Sequence, residues 1–444
     1  MNRRRFLKNN IVAGTGIALA PSLALGKVSA PDQQARVGFI GVGLRGTNHL
    51  KNLLRRKDVL IPAICDIDPE RIKIALDLIS KVGFKKPETY TNGPEAFRQM
   101  VTRDDLDGIL IATPWEWHTP MAVAVMKAGK WPGIEVSAAL TLEECWDLVN
   151  TSEQTKMPCM ILENSCYRRD VMAVLSMVRQ GVFGELTHCR CGYLHDLRGI
   201  KFQPGVEFGE KGISEARWRT NHSIHRNGDL YPTHGIGPIA NILNINRGNR
   251  FVSLTSMATK SRSLHEYIVA KGGKDHPNAK INFKLGDVVT TLIQTENGET
   301  IVVTHDTNTP RPKQDDYHVQ GTKGLWMKNS NTIYIDGKSK DHIGEVADSY
   351  LKQYDHPLWK KDADKTANSG HAGGNDYFVI NSFVESVKRK IPFLIDVYDA
   401  AAWSAITPLS EMSVANGGAP QKFPDFTKGN WKTRKPVFGL NDDY

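Results

Sequence analysis

The sequence has six cysteines and no pair at C-x-x-C spacing: Cys65, Cys145, Cys159, Cys166, Cys189 and Cys191 follow no framework pattern. A disulfide scaffold is disfavoured, and all six are expected as buried thiols. No apolar run is long enough to span a membrane, since the stretch from Ile11 to Leu25 is short and broken by Gly and Pro. A strong excess of one charge is also missing from the body of the chain. The formal net charge is +9, but Arg3, Arg4, Arg5, Lys8 and Lys27 supply five of it, leaving about +4 over residues 31–444. That is too little for a nucleic-acid footprint, so neither a nucleic-acid partner nor a membrane span is expected. With 40% hydrophobic and 24% charged residues in 444, the chain is neither disordered nor fibrous and is long enough for two or three domains.

The first thirty residues contain no acid. They read Asn2-Arg-Arg-Arg-Phe-Leu-Lys8, then the short apolar stretch, then small residues at Ser22-Leu-Ala24 and Val28-Ser-Ala30. Twin arginines followed by Phe-Leu-Lys resemble a Tat signal, with Asn2 where Ser or Thr is usual. Residues 1–30 are therefore expected to be a Tat-type signal peptide, and the protein periplasmic or secreted. Because that route carries folded proteins, a cofactor loaded beforehand would travel with the chain.

The best-defined local pattern begins at residue 36. Arg36-Val-Gly-Phe-Ile40 reads as a buried strand, Gly41-Val-Gly43-Leu-Arg-Gly46 follows, and helical spacing begins at Thr47. Strand, glycines and helix in that order form the context in which G-x-G-x-x-G denotes a dinucleotide site. Gly41 permits the turn, Gly43 lets the backbone approach a pyrophosphate, and Gly46 lets helix and strand pack closely. A second strand, Leu60 to Cys65, ends in Asp66, an acid placed to bind both ribose hydroxyls and to favour NAD over NADP. Further alternation follows: helix 69–82, helix 94–101, strand 108–112, helix 120–129, strand 133–136, helix 141–154 and strand 160–164. The turn Thr113-Pro-Trp-Glu-Trp-His118 stands at the carboxyl end of a strand, where open parallel sheets place ligand contacts. Residues 31–164 are thus expected to form an NAD-binding Rossmann domain.

From residue 184 the pattern changes to mixed or antiparallel strands (186–193, 252–258, 288–294, 300–305, 318–321 and 332–335), with helices expected only at 168–180, 236–244 and 374–389. Residues 165–444 are expected to form a substrate-binding α+β domain with a C-terminal helix and tail, built on an open, largely antiparallel sheet. The fold class is accordingly α/β, with a mainly parallel Rossmann sheet first. This layout resembles the glucose-fructose oxidoreductase and inositol dehydrogenase superfamily. That superfamily carries Glu-Lys-Pro after its fifth strand, whereas this chain reads Glu135-Val136-Ser137, without the lysine.

Longer strings narrow the resemblance. Pro114-Trp-Glu-Trp-His118, Leu142-Glu-Glu-Cys-Trp146, Glu163-Asn164, Cys166-Tyr-Arg-Arg-Asp170, Trp218-Arg-Thr-Asn-His222, Tyr231-Pro-Thr-His234, Asn246-Arg-Gly-Asn-Arg250, Tyr354-Asp-His-Pro357 and Asn441-Asp-Asp-Tyr444 resemble glycoside hydrolase family 109, from about Arg36 to the end of the chain. The resemblance implies an NAD-dependent α-N-acetylgalactosaminidase acting by oxidation at C3 of the sugar, elimination, water addition and re-reduction. A periplasmic NAD-dependent sugar oxidoreductase and a catalytically idle, NAD-containing sugar-binding protein are the alternatives. It further implies that Leu44, Arg45, Asp66, Trp115, Glu116, Trp117, His118, Glu135, Val136, Asn164 and Tyr231 hold NAD, beside Gly41, Gly43 and Gly46. The substrate, a glycan or small molecule with a terminal N-acetylhexosamine, would meet Tyr193, Arg219, Tyr231, Pro232, Thr233 and His234. A further family position, a tyrosine in an Arg-Pro-Tyr string, is Arg311-Pro312-Lys313 here, and Tyr317 lies four residues on. His234 and Tyr193 are expected to share acid–base work, with Glu163 assisting and Arg219 lowering the tyrosine pKa. His222 and His225 form H-x-x-H without a third ligand nearby, so no metal is expected. A homo-oligomer is compatible with the chain.

Overall fold

The apolar run after Gln34 forms a buried strand, β1 (Ala35–Ile40). The structure is a computed structural model, and it describes residues 34–203, 208, 212, 214–366 and 374–442. The signal-peptide expectation for residues 1–30 lies outside the described residues. The strand expected over Leu60–Cys65 is split into β2 (Val59–Leu60) and β3 (Ala63–Cys65), because Pro62 has no N–H to give to a ladder. With β4 (Glu88–Tyr90), β5 (Gly108–Ile111), β6 (Trp131–Ile134) and β7 (Met160–Ile161), they make a seven-stranded parallel sheet. Its order is β4-β3-β1-β5-β6-β7, with β2 beside β1. The order reverses direction at β1, so a crevice opens outside the carboxyl ends of β1 and β5.

The first helix spans Leu44–Leu53 rather than starting at Thr47, with Gly43 as its N-cap. Gly46 therefore lies in the first turn, where a Cβ would stand 2.0 Å from the Gly41 carbonyl oxygen. That close approach explains why a glycine is required inside a helix that would otherwise disfavour it.

The second sheet contains β8 (Leu186–Leu194), β9 (Phe251–Ala258), β10 (Val289–Thr295), β11 (Thr300–Asp306), β12 (His318–Gly321), β13 (Gly324–Met327), β14 (Thr332–Ile335), β15 (Glu345–Val346) and β16 (Gln421–Lys422). It runs β15-β14-β13-β12-β8-β11-β10-β9-β16. Only β8 and β11 pair in parallel; their neighbours are antiparallel. Along β10 buried and exposed residues alternate, so one face meets the core and the other meets water. Helices are more numerous here than the sequence pattern suggests, with additional ones at Ser263–Gly272, Pro357–Thr366, Val397–Ser404 and Ile406–Ala415. The last two are buried on most sides and short, so they carry no clear amphipathic stripe.

One late helix returns to the first sheet. Asn375–Arg389 lays Phe383 over Gly108 and Gly133, where a Cβ on either glycine would meet the ring at 2.9 Å. Arg56, just past the first helix, donates to Asn381 at 2.8 Å and pairs with Glu385. The first turn of the late helix is thereby carried to the mouth of the crevice. All six cysteines are buried, with Cys189 and Cys191 on one face of β8. Among the described residues no helix is long and apolar enough to cross a membrane.

Candidate active site

A cavity of about 390 Å³ opens at the carboxyl ends of the parallel strands. Gly41, Gly43, Leu44, Arg45, Asp66, Trp115, Trp117, His118, Glu135, Val136 and Tyr231 all line it, as does Arg219 from the second half of the chain. Gly46, Glu116 and Asn164 are not among the lining residues. Gly46 instead presses on Gly41, Glu116 is half-exposed with its carboxylate 3.7 Å from His222 Nε2, and Asn164 is buried behind the wall.

The glycines fit a bound dinucleotide for separable reasons. Gly41 has φ +86°, and a Cβ there would lie 2.5 Å from the Ala112 carbonyl oxygen. A Cβ on Gly43 would meet nothing within 4 Å, so this residue is not needed for packing. Its bare backbone instead faces open space at a helix N-terminus, which is the requirement for approach of a pyrophosphate. Asp66 follows β3, with Oδ2 accepting from the Val42 amide at 2.8 Å and Oδ1 from the Asp68 amide at 2.9 Å. Burial raises its pKa, and the two amides work against that rise. The carboxylate is thus pre-aimed at the adenosine side of the cavity, with lone pairs left for a ribose diol.

At the far side, past β5 and β6, lies a buried charge network. Arg45 donates to Glu135 at 2.8 and 3.0 Å and to Asp376 at 2.9 and 3.0 Å. His49 Nε2 lies 2.6 Å from the same Glu135 oxygen, and Asn164 Nδ2 donates to Asp376 at 2.7 Å. Burial pushes the Glu135 pKa up, but Arg45 and His49 hold it well below the usual carboxylate range. Asp376, on the late helix, was not foreseen, for no local signal at position 376 sets it apart from other helix-start acids. That single carboxylate joins Arg45 to Asn164, and Arg45 in turn carries the network on to Glu135.

The sugar-side residues gather where β7, β8 and helix Thr233–Ile242 meet. Gly235 rests on Gly192 of β8, since a Cβ on Gly235 would stand 2.8 Å from the Gly192 nitrogen. Gly237, two residues on, leaves room for the Glu163 side chain, which a Cβ would meet at 2.9 Å. His234 Nδ1 then lies 2.6 Å from Glu163 Oε1 and 3.3 Å from Ser165 Oγ. Glu163 is fully buried, and its other oxygen has no hydrogen-bond partner among the described residues. A carboxylate can only accept, so Nδ1 is the donor in this pair and Nε2 is the ring nitrogen left to exchange a proton.

Two rings pack on that histidine: Tyr193 lies 5.5 Å away, Tyr231 lies 5.0 Å away, and the two tyrosines are 4.8 Å apart. Tyr231 stacks on Trp115 at 5.3 Å, and the Arg219 guanidinium sits over both rings while pairing with Glu215 at 2.8 Å. Thus the same tyrosine lines the cavity and touches His234. Arg219 does act to lower the Tyr193 pKa, as expected, but it does not set the net direction. Burial outweighs the guanidinium and pushes the phenol up to about 12, so Tyr193 stands as a proton donor rather than a ready base. Its hydroxyl lies 3.2 Å from His195 Nδ1.

Pro232 and Thr233 are buried at the start of the helix, and the Thr233 hydroxyl has no partner among the described residues. Lys313 is not brought into this group: it is exposed on the loop after β11, beside an Arg311 that is tied to Asp306 and Gln314. Tyr317 is the residue of that loop which reaches the site, donating to the His234 carbonyl at 2.5 Å. Among the described residues no group of three potential ligands is placed to hold a metal ion.

A Rossmann sheet whose glycine turn opens onto a cavity at the strands' carboxyl ends, joined to an open-sheet half that supplies a histidine–carboxylate pair, defines an NAD-binding enzyme of the oxidoreductase-fold class. The family model for the "Oxidoreductase family, NAD-binding Rossmann fold" matches residues 35–162, and that for "Glycosyl hydrolase 109, C-terminal domain" matches residues 167–433. The chain belongs to glycosyl hydrolase family 109, and it is an NAD-dependent glycoside hydrolase. It is 52% identical over 456 residues to a glycosyl hydrolase family 109 protein of Stenotrophomonas maltophilia, covering 100% of this chain and 99% of that one. It is 50% identical over 465 residues to an alpha-N-acetylgalactosaminidase of Tannerella forsythia, covering 99% of each. Among solved structures, a levoglucosan dehydrogenase in complex with NADH and levoglucosan shares the fold, with a TM-score of 0.66, 19% identity, and coverage of 88% of this chain and 100% of that one.

Proposed function

We propose that the protein hydrolyses terminal N-acetyl-α-galactosaminides by transient oxidation of the sugar, and that it does so after export. The observation that carries the chemical reading is the Glu163–His234 pair, set against Tyr193 and against a Tyr231 that also lines the cofactor cavity. The substrate class rests on the relative from Tannerella forsythia, whose name states that activity.

When bound, NAD supplies an acceptor for hydride from C3 of the sugar and later returns it, so the net reaction is hydrolysis. The chain's own groups do the proton work. A ketone at C3 acidifies the hydrogen on C2, and a base must remove it before the C1 substituent leaves. His234 is suited to that task because Glu163 fixes its Nδ1 proton and stabilises the imidazolium as it forms. Tyr193, held neutral by burial, donates toward the oxygen that gains negative charge, and Arg219 adds a fixed cation beside it. Val136 stands where the superfamily's catalytic lysine would be, which leaves this constellation to do what that lysine does elsewhere. Asp66 favours NAD over NADP.

The test is purified protein with an aryl N-acetyl-α-galactosaminide and no added NAD. Phenol release without net NADH supports the hydrolase. NADH accumulation with a free sugar would point to the oxidoreductase, and sugar binding without either product to an idle binding protein. Export is supported by Arg3-Arg4-Arg-Phe-Leu-Lys8 and the short apolar stretch after it. Arg3→Lys with Arg4→Lys should retain the protein in the cytoplasmic fraction, and unchanged export would defeat that part of the reading.

A further inference from the structure

The charges around Arg45 do not cancel. Glu135 and Asp376 are both buried carboxylates, and one guanidinium serves them both. Arg45 holds each in its ionised form against the cost of burial. Arg45 is the permanent cation on this pair; His49 Nε2 lies 2.6 Å from the Glu135 oxygen, and its Nδ1 is buried without a partner among the described residues. Asn164, the remaining group on Asp376, is uncharged. Counting permanent charges, two buried carboxylates against one guanidinium leave one negative charge beside the cavity.

Its location follows from the strand order. Asp66 follows β3 and faces the adenosine side, the glycine turn follows β1, and Glu135 and Asn164 come after β6 and β7, at the opposite end. A dinucleotide laid across this crevice from Asp66 places its nicotinamide toward Glu135. The nicotinamide ring carries a positive charge when oxidised and none after it accepts hydride. A fixed negative charge close by therefore interacts with the two forms unequally.

We propose that Asp376 is a positioning residue for the nicotinamide end of the cofactor, holding Arg45 and Asn164 at once, and that the surplus charge it brings makes the site favour the oxidised over the reduced form. The proposal rests on NAD binding and not on which sugar is cleaved. For an enzyme that must return its hydride in every turnover, such a bias keeps the resting cofactor oxidised and ready for the next substrate. It also accounts for a feature that packing alone does not: a second buried carboxylate brought to Arg45 from a helix more than 300 residues away.

The experiment uses full-length mature protein stripped of cofactor, with NAD⁺ and NADH titrated separately by calorimetry. Asp376→Asn keeps the shape and removes the charge. The ratio of NADH to NAD⁺ affinity should rise on the order of tenfold relative to wild type, mostly through weaker NAD⁺ binding. Asp376→Glu, which retains the charge, should leave the ratio within about twofold of wild type even if both affinities fall. Should Asp376→Asn fail to fold, Asp376→Ser removes the same charge from a smaller side chain and carries the same comparison. Equal losses for both cofactor forms in the neutral variants would show a merely structural role and overturn the electrostatic part. Unchanged affinities for both would overturn the whole. Because no sugar is present, failure of this proposal is distinct from failure of the N-acetylgalactosaminide reading.

Discussion

His234 Nδ1 lies 2.6 Å from an oxygen of Glu163, a carboxylate with no exposure to water. The contact fixes the tautomer of the histidine, and with it the nitrogen that is free to take a proton. Glu163→Gln offers an amide in place of the acceptor-only carboxylate and removes the charge that stabilises an imidazolium. It should lower kcat by roughly 10²–10⁴ with a much smaller change in KM. Solvent exchange of the sugar C2 hydrogen, followed by NMR, should slow in parallel, and the same exchange should be abolished in His234→Ala. Normal exchange in both variants would remove the pair from the mechanism.

Tyr193 calls for a different signature. Burial lifts its pKa to about 12, so the phenol remains protonated across the neutral and moderately alkaline range. A raised acid pKa means that the donor is present at low pH and lost only as pH climbs through the shifted value. The pH–rate profile should therefore show no descending limb from this group below pH ~10. Tyr193→Phe should cost about 10²–10³ in kcat at every pH in that range, because the lost donor acts at the developing oxyanion.

Two glycines of one motif should fail in different ways. Gly43→Ala places a methyl where nothing lies within 4 Å, so the cofactor-free protein should melt within a degree or two of wild type. Its NAD affinity should nonetheless fall by at least tenfold, as the methyl occupies the pyrophosphate approach. Gly41→Ala meets both a positive φ and the Ala112 carbonyl, and should destabilise the cofactor-free protein itself by ~2 kcal/mol or more. Thermal melts with and without NAD separate the two.

Asp229, two residues before Tyr231, should govern part of the pH dependence of stability. Burial raises its pKa to about 7, and one carboxyl oxygen has no partner among the described residues, while the other accepts from the Tyr231 amide. The folded state thus holds a proton that the unfolded chain releases near the ordinary carboxyl value. Stability contributed by that proton is full below about pH 4 and falls as pH rises toward 7. Asp229→Asn removes the titration. Relative to wild type, the variant should gain roughly 2–3 kcal/mol between pH 5 and pH 8, read from denaturant melts at the two pH values.

The cofactor half was legible because its signals are local. Strand, glycine turn, helix and a spaced acid occupy 31 consecutive residues from Arg36 to Asp66, and each residue's role follows from backbone geometry that any such turn must obey. The three-residue strand β4 carries no such signal, and two boundaries differ: the helix starts at Leu44, and Pro62 divides one expected strand into two. In the second half six strands between 186 and 335 alternate clearly enough to be read, but the short strands β13, β15 and β16 do not, and the helices at 397–404 and 406–415 carry no clear amphipathic stripe.

The sugar-side site was legible only as a set of strings. Nothing in Glu163-Asn164 or in Tyr231-Pro-Thr-His234 says that the two segments touch; that depends on Gly235 and Gly237 letting a helix lie directly on β8 and on Glu163. Nor does the Arg311-Pro312-Lys313 string show that its lysine is exposed while Tyr317 turns inward to His234.

By itself, then, the sequence determined the order of the two halves, the dinucleotide turn and the identity of the residues available for chemistry. These follow from short-range rules of sterics and hydrogen bonding, which need only neighbours along the chain. Tertiary structure decided which carboxylate serves which base. It set the protonation of Tyr193 by burying a phenol beside a cation too weak to offset the loss of water. It also brought Asp376 across more than 300 residues to Arg45, because Phe383 fits over two glycines of a distant sheet. Burial and charge pairing are properties of the packed whole.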